Sequence, residues 1–355
     1  MECTVPLGPA STRLLLGHGS SQNLAETLSL SGTRVTVVSD ENVSASARGR
    51  VFPDQDWLVV PPGESSKCLE RAAWLWSQML ALGMDRRSAL VAVGGGVVGD
   101  LAGFAAATYL RGVPFYSIPT SLLAMVDASV GGKVGIDLPQ GKNLVGQFYP
   151  AKIVAVDPAL LATLPEAEWS SGMAEVIKHG ILSGGDFWSQ LLSFHPADRS
   201  QDKKLEALVT AAVRVKVGVV QDDPFEKTGL RATLNLGHSY GHAIEWCSDY
   251  GMSHGQAVAL GLLAGVRLSR LLGILQEDFE PELSALLERW GLSGTLPDSD
   301  DGRYSWERIS LALGRDKKNK DGQWCFVLPQ ALGRVQLVYG PDRAAVERAF
   351  SSLLV

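Results

Sequence analysis

Ser88-Ala-Leu-Val-Ala-Val93-Gly94-Gly95-Gly96-Val97-Val98-Gly99-Asp100 sets the architecture of the first half of the chain. A short apolar run stops on three glycines and a second apolar run begins at once, which predicts a buried strand turning tightly into a helix. Leu90 to Leu110 is apolar enough to imitate a membrane span, but Gly94, Gly95, Gly96, Gly99, Asp100 and Gly103 interrupt it. Gly94, Gly96 and Gly99 fit the GxGxxG pattern. Such a turn can present bare backbone N–H groups to a pyrophosphate at a helix start, although a tight turn without a ligand uses the same residues. The acidic residue that holds the ribose about twenty positions downstream in the usual dinucleotide fold is missing here. Asp40 instead ends an upstream strand, so the pattern is that of a variant nucleotide site, with Asp40 and Asn42 as candidate ribose contacts and Glu64 and Lys67 close by.

Working outward, Arg34 to Ser39, Asp56 to Val60, Phe115 to Pro119 and Ile153 to Val156 are further short apolar runs bounded by turn residues. Leu69 to Gly83 has helical periodicity, and strands spaced by helices predict a parallel sheet with helices on both faces. After Asp157-Pro158 the texture changes, and Glu166 to Leu182, Lys204 to Val220, Ser239 to Cys247, Gln256 to Leu272 and Glu282 to Trp290 all have helical spacing. The expected organisation is a Rossmann-like α/β domain over residues 1–165 and an all-α domain over residues 166–355. A chain of 355 residues, 46% hydrophobic and 20% charged, suits two globular domains. A net charge of −6 argues against general binding to nucleic acid or anionic membranes, which need a basic surface. Cys3, Cys68, Cys247 and Cys325 are scattered with no CxxC pair, and Met1 to Pro6 lacks the pattern of a signal peptide, so a cytoplasmic location is expected.

The chemistry gathers in the second half. His238 and His242 are four apart and share a helix face, as in helical zinc sites, and His254 follows closely. A polar helix face explains the pair equally well, and a third ligand from elsewhere would be needed for a catalytic metal. Asp127 lies in an apolar frame just before Gly131-Gly132-Lys133, with Lys142-Asn143 beyond it. Glu175 and Lys178 share a predicted helix, Lys216 lies on another, and Arg231 and Lys317-Lys318 complete the set. Singly, each fits a helix surface pair or a solvated loop. Together, so many cations in apolar frames of an acidic protein suit a small substrate carrying phosphate and carboxylate.

These segments resemble the dehydroquinate synthase family over nearly the whole chain. The carriers are PGESSK at 62–67, GGGVVGDLAGFAAATYLRG at 94–112, PTSLLAMVDASVGGK at 119–133, KNLVGQF at 142–148, SGMAEVIKHG at 171–180, GLRATLNLGHSYGHAIE at 229–245, SHG at 253–255 and DKKN at 316–319. Met125 stands where that family often has glutamine, and Ser121 and Ser239 where threonine is frequent. The resemblance implies the dehydroquinate synthase-like fold, with NAD and a divalent metal, zinc or alternatively cobalt, held between the two domains, and a homodimer. It puts the metal on Glu175, His238 and His254, and moves His242 to the substrate. It further implies substrate contacts at Asp127, Lys133, Asn143, Lys178, Lys216, Arg231, Asn235, Lys317 and Lys318, with Arg111 reaching in from a dimer partner. NAD contacts are implied at Asp40, Asn42, Glu64, Lys67, Gly95, Gly96, Asp100, Thr120, Ser121, Lys133, Lys142 and Thr163.

The activity implied is conversion of 3-deoxy-D-arabino-heptulosonate 7-phosphate to 3-dehydroquinate and phosphate in the shikimate pathway. It proceeds by transient oxidation with NAD, elimination, reduction and aldol closure. Two other enzymes share parts of the pattern. A polyol dehydrogenase of the glycerol dehydrogenase type needs no lysine-rich phosphate pocket, so Lys133, Lys178, Lys216 and Arg231 count against it. Another sugar-phosphate cyclase is nearer, and Arg231, Asn235 and His242 favour the carboxylate-bearing substrate. A nucleotide-binding protein without catalysis would have no use for the full ligand set.

Overall fold

The computed structural model describes residues 1–297, 301–315, 319 and 322–354. Packing divides the chain into two compact units, Met1–Pro165 with Ser200–Phe225, and Glu166–Arg199 with Glu226–Val355. The chain begins with β1 (Glu2–Leu7) and β2 (Ala10–Leu16), an antiparallel pair, and continues through α1 (Ser20–Leu30), β3 (Val35–Asp40), α2 (Glu41–Ala47), β4 (Asp56–Val60) and α3 (Leu69–Ala81). β5 (Ala89–Gly94) and α4 (Gly96–Thr108) are the glycine-rich stretch quoted above. β6 (Phe115–Pro119), the hairpin of β7 (Lys133–Leu138) and β8 (Gly141–Phe148), and β9 (Ile153–Val156) follow.

Seven strands form one sheet in the order β1-β2-β9-β6-β5-β3-β4, parallel throughout except for β1 against β2. β5 lies between β6 and β3, with Gly94 level with Pro119 and Val35 level with Ala89. On one face Val37, Val91, Val93, Ile118 and Ala155 pack with Leu24 and Leu28 of α1 and Ala47 of α2. Each of these valine, leucine and isoleucine side chains stabilises the fold by about 1.5–3 kcal/mol relative to exposure. α4 is buried almost all round, from Leu101 to Ala107, which is why its sequence imitates a membrane span. Among the described residues no helix is long and apolar enough to cross a membrane. Gly103 lets α4 approach the β7–β8 hairpin, since a Cβ there would stand 2.3 Å from Cγ1 of Val134.

Past Pro165 come α5 (Glu166–Ser183) and α6 (Gly185–Ser193), and then α7 (Asp202–Asp222), which packs with the first unit rather than the second. One cut after residue 165 therefore leaves this return out. The second unit resumes with α8 (His238–Cys247), α9 (His254–Leu271), α10 (Glu280–Arg289), α11 (Trp306–Leu313), an antiparallel hairpin of β10 (Cys325–Ala331) and β11 (Arg334–Tyr339), and α12 (Arg343–Ser351). That hairpin is an addition to the helices expected here. α9 is the buried axis of the unit, flanked by α5, α8, α10, α12 and β10. Bonds that tie α8 to its surroundings include Ser239 Oγ donating to the Cys325 carbonyl at 3.1 Å and the Tyr240 hydroxyl donating to the Val346 carbonyl at 2.9 Å.

Candidate functional site

In the second unit, three helices bring Glu175, His238 and His254 together. The potential ligand atoms of these residues all lie within 4.8 Å of one another. Glu175 sits on α5, wholly buried, and its Oε1 is 3.5 Å from His238 Nε2 and 3.1 Å from His254 Nε2. Lys178, one turn along α5, pairs with Glu175 Oε2. Burial would lift the Glu175 carboxyl, but Lys178, His238 and His254 outweigh it and hold it well below the carboxylate range.

The two imidazoles are anchored differently. His238 Nδ1 lies 3.1 Å from the Leu236 carbonyl, which can only accept, so the proton is on Nδ1 and the Nε2 lone pair faces Glu175. Burial, opposed by Glu175 and reinforced by Lys178, keeps His238 neutral by pushing its pKa well down. His254 has Nδ1 3.2 Å from Oε2 of Glu245 and Nε2 3.1 Å from Oε1 of Glu175. Burial alone would lower it, yet hydrogen bonds to the two carboxylates raise it to about 10. Two nitrogens and one carboxylate oxygen are the donor set of a catalytic zinc site with one position left over. Each imidazole also has its other nitrogen fixed by a carbonyl or carboxylate, the arrangement usual behind metal-bound histidines. The residues therefore fit a divalent cation.

His242, on the same face of α8, is exposed, with its ring centroid 5.2 Å from that of His238 and 6.3 Å from that of His254. Arg231 is buried at the start of a short turn, its Nε 3.7 Å from Oε1 of Glu226, and Asn235 ends that turn by donating to the Ala232 carbonyl at 3.2 Å. Lys317 and Lys318 lie outside the described residues.

The first unit holds two more groups. Lys67 is buried, its Nζ 2.7 Å from Oε1 of Glu64, 2.9 Å from Oδ1 of Asn143, 3.3 Å from Oδ2 of Asp100 and 3.7 Å from Oδ1 of Asp137. Burial would lower the Lys67 pKa, but Asp100 and Glu64 raise it; burial lifts Asp100 to about 6 against Lys67. Asp137, which no motif singled out, accepts the Asn143 backbone N–H at 2.7 Å and holds that residue in a left-handed conformation. The second group is Asp127, on a short turn against α7, paired with Lys216 of α7.

Beside these lies a cavity lined by Gly94, Gly95, Gly96, Gly99, Asp100, Ala128, Ser129, Gly132, Lys133 and Tyr149. Gly95 caps the start of α4, and a Cβ built on Gly99 meets nothing within 4 Å, so it would stand in the open space. Bare backbone at a helix start is what a pyrophosphate needs. Thr120 donates its N–H to the Gly94 carbonyl at 3.0 Å, and Ser121 Oγ accepts from Ala124 N at 3.3 Å, so both belong to this turn. Asp40 caps α2 through Val43 N at 2.9 Å, with Asn42 exposed on that helix. Lys142 is half-buried on β8 near Glu64, Thr163 is exposed at the end of the turn after β9, and Arg111 is exposed with φ 68°.

Residues 57–171 match the family described as 3-dehydroquinate synthase N-terminal, and residues 172–319 the one described as 3-dehydroquinate synthase C-terminal. The chain belongs to the 3-dehydroquinate synthase family. A 3-dehydroquinate synthase of Shewanella loihica is 39% identical over 351 residues, 96% of each chain. One of Symbiobacterium thermophilum is 46% identical over 293 residues, 80% of this chain and 78% of its own. Among solved structures, the 2-epi-5-epi-valiolone synthase of Streptomyces hygroscopicus with NAD+ and Zn2+ bound is similar with a TM-score of 0.85 and 25% identity, over 98% of each chain. The α/β unit with its parallel sheet and the helical unit are thus the dehydroquinate synthase-like fold that the motifs led us to expect.

Proposed function

We propose that this chain converts 3-deoxy-D-arabino-heptulosonate 7-phosphate to 3-dehydroquinate and phosphate, as an NAD- and metal-dependent carbon–oxygen lyase of the shikimate pathway, working as a homodimer in the cytoplasm. The observation that carries the reading is the convergence of buried Glu175 and His238 with partly buried His254, backed by Lys178, in a chain whose residues 57–319 match one family.

Glu175, His238 and His254 would hold the divalent cation, zinc or cobalt, which when bound acidifies the substrate hydroxyls it touches. The backbone of Gly95 and Gly96, with Asp40, Asn42, Glu64, Lys67, Asp100, Thr120, Ser121, Lys142 and Thr163, would hold NAD, which takes a hydride from the substrate and later returns it, without net redox change. Lys178 keeps Glu175 anionic, so the cation meets a charged ligand in a buried setting. Lys216, paired with Asp127, would neutralise the leaving phosphate together with Lys133. Asn143, whose Oδ1 accepts from Lys67, would offer its side-chain amide N–H to the substrate. His242, exposed beside both candidate ligands, can take or give a proton at a ring nitrogen. Arg231 and Asn235 suit the substrate carboxylate, with Lys317 or Lys318 beside them. Arg111 would act across the dimer.

The test is phosphate release from the heptulosonate phosphate, with and without added NAD and a chelator. Release should need both cofactors and should leave no accumulating NADH. Steady NADH production from a simple polyol, with no phosphate released, would replace this reading by that of a polyol dehydrogenase.

A further inference from the structure

We propose that Glu245 is the positioning residue for His254, fixing its ring so that Nε2 faces the cation; this rests on the metal site read above. His238, His242 and Glu245 stand at i, i+4 and i+7 on α8 and so share one face. Glu245 is buried, 6% exposed, and its Oε2 is 3.2 Å from His254 Nδ1, while the opposite nitrogen of that ring is 3.1 Å from Glu175.

The backbone at His254 is already set, but its ring is not. Ser253 caps α9 by accepting from Gln256 N at 3.3 Å, and Gly255 presses on α5, where a Cβ would stand 2.3 Å from the Ser171 Cα. His254 is nevertheless the first residue of α9, with a third of its side chain exposed, against 9% for His238. A ring so placed can turn to solvent unless its far nitrogen is held. His238 has a backbone carbonyl for this purpose; for His254 the group at Nδ1 is the Glu245 carboxylate. A carboxylate behind an imidazole fixes its tautomer and makes the other nitrogen a better donor. The main chain of Glu245 has a separate duty: its carbonyl accepts from Ser248 Oγ at 2.8 Å and Tyr250 N at 2.9 Å, closing the turn out of α8. Changing the side chain leaves those bonds in place.

The experiment uses full-length protein stripped of metal. Zn2+ affinity is measured by competition with a chromophoric chelator for wild type, Glu245→Gln and Glu245→Ala, and NAD affinity of the metal-free protein reports on the other unit. The visible spectrum of the Co2+-loaded forms follows ligand geometry. Zn2+ affinity should fall about tenfold in Glu245→Gln and between about 10- and 100-fold in Glu245→Ala, with a shifted cobalt band and NAD affinity unchanged. Zn2+ affinity within twofold of wild type in both variants, with the cobalt band unmoved, overturns the proposal. Loss of NAD affinity in both would assign Glu245 to the fold and overturn it too. A wild-type protein that takes up no Zn2+ would instead remove the metal-site reading beneath it.

Discussion

Gly261→Ala tests whether the contact between α8 and α9 sets the geometry of the two histidines. A Cβ built on Gly261 lies 1.9 Å from the Gly237 carbonyl oxygen and 2.9 Å from the Gly241 nitrogen. Carbon and carbonyl oxygen settle at about 3.3 Å or more, so the two helices must part by about 1.4 Å at this point. The obstacle is backbone and cannot rotate away. Overpacking of this kind costs about 1–3 kcal/mol, with the upper end expected here. The alanine returns about 1 kcal/mol through helix propensity, leaving a net loss of about 2 kcal/mol. In a protein of 355 residues that is a fall in Tm of about 3 °C.

The site should suffer more than the fold. Gly237 immediately precedes His238, and His254 opens α9, so the displacement separates the two imidazoles. Metal–ligand distances tolerate about 0.2 Å, far less than 1.4 Å, and Zn2+ affinity should fall at least tenfold. Gly265→Ala, on the same helix, is the control, because a Cβ there meets nothing within 4 Å. It should raise stability by up to about 1 kcal/mol and leave Zn2+ affinity alone. Thermal unfolding and chelator competition on the two variants decide the matter. Equal Tm and equal Zn2+ affinity for both would refute the helix contact as drawn.

Glu175→Gln removes the charge facing Lys178 in a fully buried place; a loss of about 3–5 kcal/mol together with loss of metal is expected, and wild-type metal content at wild-type rate would take Glu175 out of the ligand set. His242→Ala should retain the metal and lose turnover, whereas a metal-free variant would make His242 a ligand after all. Lys216→Met should slow phosphate release or weaken substrate binding while NAD affinity holds, and unchanged kinetics would clear Lys216 of any part in the reaction. Asp100→Asn bears on pH. Burial raises the Asp100 carboxyl from 3.8 to about 6, so this residue's contribution is full below pH about 4 and is lost as pH rises through 6. That is at most about 3 kcal/mol at neutral pH. The variant should therefore lose less stability than wild type between pH 4 and 7 in urea melts, and parallel curves for the two proteins would count against the raised carboxyl.

What local pattern could and could not say follows from where the information lies. β3, β5, β6 and β9 are apolar runs between turn residues because each lies inside the sheet with both faces largely buried, and such strands announce themselves; β4, at the sheet's edge, buries Leu58 and Val60 and exposes Asp56. The β7–β8 hairpin does not: Lys133-Val-Gly-Ile-Asp-Leu138 mixes glycine and charge, and β8 is largely exposed. Nor does periodicity say which core a helix serves. Lys204 to Val220 is plainly amphipathic, yet nothing in its spacing returns it to the first unit, where Lys216 finds Asp127.

The histidines carry the same lesson into the site. Spacing makes His238 and His242 an attractive pair, because a helix aligns residues four apart whatever their purpose. The choice between His242 and His254 depends on which nitrogen approaches Glu175, and that residue lies on α5, distant in sequence from α8 and α9. Only the packing of α9 against both helices brings His254 Nε2 to 3.1 Å from Glu175, with Gly255 and Gly261 permitting the approach. In the sequence Gly255 precedes, and Gly261 lies within, the run of helical spacing from Gln256 to Leu272. Their meaning is a matter of distance: each stands where another backbone comes too close for a side chain, and the ligand geometry is built on that closeness.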